Sequence, residues 1–263
     1  MKRIFPLGKT ALVLLFALQM MSCHKFIDKY FPGHGHGEDE PKYRIKSMIL
    51  TLNGNSDAPA ARAMVYYNQH NDPDSVIVED KWVDIGTSEL YKYYYFTYDN
   101  EHRLTRYWYT TRRGTDSLFS NYHWYEHDNT GRIIKDSTLI IEYDFDFDGA
   151  YEHFSSVSYP EYDSEGRVVK DGGSVYKYDS SGNRERIRDL YDPTHDSVVY
   201  DNKVNYKLTN KVWTFISRDY SKNNADRATG YNDAGLPLGF RDGTVYGFLD
   251  QGDPYEIEWD LVP

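Results

Sequence analysis

YDNEHR at 98–103, HDNTGR at 127–132, YDSEGR at 162–167 and YDSSGN at 178–183 are four copies of one short unit. Each begins with an aromatic residue, follows it with Asp, and carries Gly or His at the fifth position. Two degenerate copies, YKLTNK at 206–211 and YNDAGL at 231–236, extend the series. An Asp or Asn at the second position (Asp99, Asp128, Asp163, Asp179, Asn232) accepts hydrogen bonds from backbone amides two residues on, which closes a tight turn. The fifth position (His102, Gly131, Gly166, Gly182, Asn210, Gly235) suits the left-handed conformation, free to Gly and tolerated by Asn and His. After the turn the chain re-enters a strand, as in Arg132-Ile133-Ile134 and Arg167-Val168-Val169.

A second kind of turn is expected between the copies, at DPDSVIV (72–78), GTDSLF (114–119), KDSTLII (135–141), GGSVY (172–176) and HDSVVY (195–200). Two alternating turn chemistries joined by strands describe a hairpin meander. Composition agrees: 26 Tyr against 5 Met and 1 Cys favours pleated, half-buried strands over helices. The fold class expected is all-β, an antiparallel meander of repeated β-hairpins forming a long, twisted, curled sheet.

Successive side chains of a strand point to opposite faces. In YKYYYFTY at 91–98, Tyr91, Tyr93 and Tyr95 lie on one face and Tyr94, Phe96 and Tyr98 on the other, so both faces are aromatic. Arg106-Tyr107-Trp108-Tyr109 is expected to pair with Tyr122-His123-Trp124-Tyr125 across a turn at Arg113 and Gly114. The first strand is expected over 43–52. The apolar and acidic alternation at 255–261 predicts the last, half-buried strand.

The chain opens with Lys2, Arg3 and Lys9, followed by the apolar run ALVLLFALQMM at 11–21. That run is shorter than the roughly 20 residues a spanning helix needs, so 1–22 reads as a signal peptide. It ends in Met20-Met21-Ser22-Cys23, which resembles the lipobox of bacterial lipoproteins, with Met where Leu is usual. The resemblance implies cleavage before Cys23 and acylation of its sulfur and amino groups. Two or more chains make attachment to membrane lipid stable. A lone cysteine in an exported chain also forms no internal disulfide. Residues 23–41, rich in Gly, Pro, His and acid, read as a flexible tether, and 42–263 as the β-hairpin domain. His34 and His36 belong to the tether.

Loss of Lys2, Arg3 and Lys9 takes the net charge from −11 to −14, with 27 basic against 41 acidic residues. That balance excludes nucleic acid as a partner, which requires a basic patch.

The YDxxGR units are similar to the YD repeats of the RHS family and to hairpin-repeat lipoproteins of Bacteroidetes type, over roughly 90–240. The resemblance implies stacked hairpins in a curling sheet and transfers no catalytic residue. Six copies are too few to close the shell that large RHS proteins build. It also implies a lipid-anchored place in the cell envelope, at the outer membrane of a Gram-negative bacterium.

YDFDFDGAYEH at 143–153 sets Asp144, Asp146, Asp148 and Glu152 at the alternate spacing of calcium loops, with Gly149 at the bend. These residues are the candidate Ca²⁺ ligands; an acidic hairpin turn is the other reading. Motifs for hydrolytic nucleophiles, zinc proteases and phosphate loops are missing from the sequence. Glu161 with Asp163 is the acid pair a glycosidase would need. Trp82, Tyr94, Trp108, Trp124 and Trp213 are candidate platforms for a sugar ring, with ladder packing as the alternative. The expected function is non-catalytic ligand binding or adhesion, to a glycan or a surface protein. The alternatives are a carbohydrate-processing accessory or hydrolase of the envelope, and a purely structural envelope component.

Overall fold

The computed structural model describes residues 43–51, 60–80, 90–113, 116–143, 151–185, 199–225, 228–240 and 254–262. Cys23, the tether, Trp82, Asp144, Asp146, Asp148 and most of HDSVVY lie outside them. Pro41–Pro263 is one compact unit.

The strands are β1 (Tyr43–Thr51), β2 (Ala60–Tyr67), β3 (Pro73–Asp80), β4 (Leu90–Tyr98), β5 (Leu104–Arg113), β6 (Asp116–His127), β7 (Ile133–Tyr143) and β8 (Tyr151–Ser158). Shorter ones follow: β9 (Glu161–Tyr162), β10 (Val168–Asp171), β11 (Ser174–Val175), β12 (Lys177–Tyr178) and β13 (Arg184–Glu185). The last are β14 (Tyr200–Val204), β15 (Asn223–Ala225), β16 (Ala228–Tyr231), β17 (Pro237–Phe240) and β18 (Pro254–Leu261). The fold is all-β as expected. A nine-stranded antiparallel sheet runs β18-β1-β2-β3-β4-β5-β6-β7-β8 and does not close into a barrel. Small sheets of two or three strands complete the order.

Register sorts the side chains of the large sheet onto two faces. Met48, Ala61, Ala63, Val76, Val78, Tyr94, Phe96, Tyr107 and Tyr125 are buried on one, the core face. The open face carries Tyr66, Tyr91, Tyr93, Tyr95, Trp108, Tyr122 and Trp124. The expected pairing of the two aromatic segments is present, with Tyr107 opposite His123 and Trp108 opposite Tyr122.

Three expectations about local structure are corrected. YKLTNK is not a hairpin turn: Tyr206–Thr209 is a 3-10 turn, and Asn210, extended at φ −151°, caps the helix α1 (Lys211–Ser217). The Asn210 side chain accepts from the Val212 amide, so an Asn read as a turn former serves as an N-cap. A helix of seven residues has little stability of its own and is held by packing. Trp213 meets Phe96 edge-on at 5.7 Å and Phe215 meets Tyr125 edge-on at 5.3 Å, which covers the core face.

KDSTLII is not a turn either, since it lies inside the unbroken strand β7. Asp136 is held in the strand because its partners come from elsewhere. Its carboxylate takes the Nδ1–H of His123 at 2.9 Å and faces Arg218 at 3.5 Å. The third correction is at DPDSVIV. The turn before β3 spans Asn68–Asp72 and is of the first kind, a copy hidden because Asn replaces both Asp and Gly.

Candidate functional site

Among the described residues six turns share one construction, at Asn68, Asp99, Asp128, Asp163, Asp179 and Asn232. The second-position Oδ1 accepts from amides two and four residues on; at Asp128 these lie at 2.8 and 3.0 Å. The fifth position is left-handed in all six: Asn71 at φ 63°, His102 at 58°, Gly131 at 84°, Gly166 at 76°, Gly182 at 85° and Gly235 at 74°. Where the sixth residue is Arg, its guanidinium holds the other carboxylate oxygen, as Arg103 does Asp99, Arg132 does Asp128 and Arg167 does Asp163. Burial raises the Asp99 carboxyl, but the amides of Arg103 and Glu101 and the Arg103 guanidinium outweigh it and hold it at about 2. Asp128 is likewise held far below the usual range, with Thr130 and Arg132 donating to it.

At three of these turns the tyrosine at the first position ties the turn to the one before. Tyr98 Oη donates to the Pro73 carbonyl at 2.7 Å, Tyr162 to Ile133 at 2.8 Å and Tyr178 to Val168 at 3.4 Å. Each acceptor directly follows the preceding turn. Arg132 lies over the Tyr162 ring at 5.6 Å, and Arg167 over Tyr178 at 4.3 Å. At β1, Arg44 over Tyr67 at 4.7 Å and Tyr67 Oη donating to Ile45 reproduce the link without a turn. Burial raises the hydroxyls of Tyr67, Tyr98, Tyr162 and Tyr178 far above the ordinary tyrosine value, so they remain donors.

A second buried network joins α1 to the sheet. Arg218, left-handed at φ 52° just after the helix, donates to Asp171 at 2.6 Å and faces Asp136. Burial disfavours its charge, but the Asp171 carboxylate and nearby groups more than compensate and keep the guanidinium protonated. Lys207 and Asp219 form a buried pair at 2.9 Å, and burial of Asp219 is outweighed by Lys207 and Ser221.

The open face is the site able to meet a ligand. Tyr95 stacks on Trp108 with ring centres 5.0 Å apart and 24° between planes, and Trp108 pairs across the strands with Tyr122. Tyr91, Tyr93 and Tyr95 stack along β4 at 6.0 and 6.5 Å, and Tyr122 stacks on Trp124 at 6.0 Å. Trp124 is 38% and Tyr66 46% exposed. Arg112 lies 5.7 Å over Tyr93, and Arg106 stands opposite Trp124. At the far end of this face, Ser47, Ile49, Arg62, Glu256 and Glu258 line a groove of about 180 Å³.

Of the predicted platforms, Trp108 and Trp124 lie on this face. Tyr94 and Trp213 do not, being fully buried at 0% in the core. With aromatic residues on both faces of β4, the inward side is decided by where Trp213 docks, over a hundred residues on. Tyr66, Tyr93, Tyr95 and Tyr122 complete the platform; the period-two reading of β4 and β6 is the signal that finds the last three, and Tyr66 lies on β2. Of the calcium candidates only Glu152 is described, exposed on β8 opposite Glu142. Among the described residues no three ligating side chains converge on a metal position. Glu161 pairs with Lys170 at 2.6 Å and Asp163 closes its turn, so each acid has a structural partner. Compared with known proteins, the chain matches no family model and no curated protein.

Proposed function

We propose that this chain is a lipid-anchored, extracytoplasmic binding protein of the cell envelope that captures glycan on its open face without turning it over. The observation that carries the reading is the row Tyr95, Trp108 and Tyr122, set side by side on neighbouring strands. Flat aromatic rings suit the apolar faces of sugars, and Arg106 and Arg112 around them supply hydrogen-bonding groups. The rings stand on a rigid sheet, so little ordering is lost on binding. The net charge, −11 for the whole chain and −14 once Lys2, Arg3 and Lys9 are removed, favours neutral or basic ligands over polyanions. Acyl chains on Cys23 would hold the protein at a membrane while the hairpin domain faces outward.

The test is a glycan-binding screen of the full chain in detergent, repeated with Trp108→Ala and with Tyr95→Ala. Binding is expected to weaken about tenfold or more with either variant, the scale of losing one good aromatic anchor. Saturable binding by a surface protein in place of any glycan, or hydrolysis of a bound glycan, would overturn the reading. Replacing Cys23 by Ala is expected to release the chain from the membrane fraction.

A further inference from the structure

The nine-stranded sheet has two edges, and they are built differently. At one, β18 carries Glu256, Glu258 and Asp260, and Trp259 Nε1 donates to the Pro237 carbonyl at 2.9 Å, tying that edge to β17. At the other, β8 is exposed on both faces from Glu152 to Val157. Phe154 and Val157 are each 51% exposed, and Tyr159, just past the strand, is 65% exposed. β8 holds neither Pro nor Lys, the residues that ordinarily guard a sheet edge. An extended edge of this kind presents a row of backbone donors and acceptors to another strand.

We propose that β8 pairs antiparallel with β8 of a second copy of this chain, giving a two-fold dimer with a continuous sheet. The sequence of β8 is compatible with itself. With the two-fold axis at Phe154, Phe154 meets its own copy, Glu152 meets Ser156 and His153 meets Ser155. With the axis at Ser155, Glu152 meets Ser158 and His153 meets Val157. Neither register sets Glu152 against Glu152, although the chain as a whole is acidic; like charges directly opposite would oppose pairing. Small serines at 155, 156 and 158 leave room for the partner's Phe154. Because the β18 edge is covered and acidic, the contact is isologous and closes at two copies instead of growing into a filament. An axis passing through a residue is perpendicular to the sheet and keeps both open faces on the same side. The two aromatic platforms then form one broad surface. This inference is independent of what the open face binds.

The experiment is a cysteine scan in membranes carrying the full chain, with the wild type, whose lone cysteine is Cys23, as background. Paired cysteines bridge only when their Cα atoms lie within about 7 Å, so Phe154→Cys or Ser155→Cys is expected to give disulfide dimer about tenfold above background. The yield is expected to fall at Glu152→Cys and Ser158→Cys, away from the axis. Glu258→Cys, on the opposite edge, is expected to stay at background. Yields at 153–157 no higher than background, or equal yield at Glu258→Cys, would overturn the proposal. So would a chain that stays single while an added extended peptide cross-links to β8.

Discussion

The hydroxyl of Tyr162 donates to the carbonyl oxygen of Ile133 at 2.8 Å, across 29 residues of sequence. The first aromatic of one turn thus serves the backbone that leaves the turn before it. Tyr98 and Pro73 stand in the same relation, and Tyr178 and Val168 repeat it at a longer distance. The repeat is therefore a linkage between neighbouring turns as well as a way to reverse the chain.

Tyr162→Phe removes the donor and leaves the buried Ile133 carbonyl unsatisfied, which costs about 1–3 kcal/mol. In a domain of this size that lowers Tm by about 2–4 °C per kcal/mol. Thermal unfolding is expected to rank Tyr98→Phe and Tyr162→Phe together and above Tyr178→Phe, whose bond is 3.4 Å long. A reversed order would mean that the phenol acts through ring packing alone.

The left-handed fifth position gives a second test. Gly131 stands at φ 84°, where a Cβ would have room but the backbone would be strained. Gly131→Ala is expected to destabilise by about 1–2 kcal/mol. Gly173→Ala is the control, since no atom lies within 4 Å of its added Cβ and its φ is not in the left-handed range. Denaturant midpoints should fall for the first and hold for the second.

Acid should weaken the turns in a defined window. The Asp99 carboxyl titrates at about 2 in the folded chain, below its unfolded value near 4. A depressed folded pKa gives stability that is present above the unfolded value and is lost as pH falls through the folded one. Urea midpoints measured from pH 7 to pH 2 should therefore drop most below about 4. Asp99→Asn keeps the acceptor oxygen, as Asn68 and Asn232 do in their own turns. It should start less stable at pH 7, for want of the Arg103 pair, and lose less between pH 4 and 2. A wild-type midpoint that stays level through that window would refute the assignment.

Arg218 is the buried tie between the helix and two acidic strands. Its removal strands Asp136 and Asp171 without a cation, so Arg218→Met is expected to cost about 3–5 kcal/mol. Adding Asp136→Asn and Asp171→Asn to Arg218→Met should recover part of that loss, because the uncompensated charges are gone. Chemical denaturation of the single and triple variants measures both numbers. No recovery in the triple variant would place the effect in side-chain packing over Phe215, where the guanidinium sits 3.8 Å from the ring centre.

The meander, the turn units and the first and last strands were readable because they are local: an Asx acceptor, a left-handed position and a period of two act within a few residues. What was not readable depends on distant partners. Asp136 has the composition of a turn, yet His123 and Arg218 make a buried strand position of it. Asn210 matches the turn series, but the residues after it form a helix only because Phe96 and Tyr125 receive Trp213 and Phe215. The same contact decides that Tyr94 is core and Tyr95 is platform. The copy at Asn68 escaped notice because amide side chains replace both its acid and its glycine, although its hydrogen bonds match the others.

β1 pairs with β18, and Ser47 donates to Glu258 across 211 residues. A chain made from its N-terminus must therefore carry its first strand with one side unserved until its final residues appear. The seven ladders from β1-β2 to β7-β8 can zip locally in order, but this closing step joins the strands of the sheet farthest apart in sequence and has the largest entropic cost of formation. Refolding should thus be paced by the arrival of the last strand, and a chain cut before Pro254 would fold its hairpins yet leave Ile45 and Met48 in water.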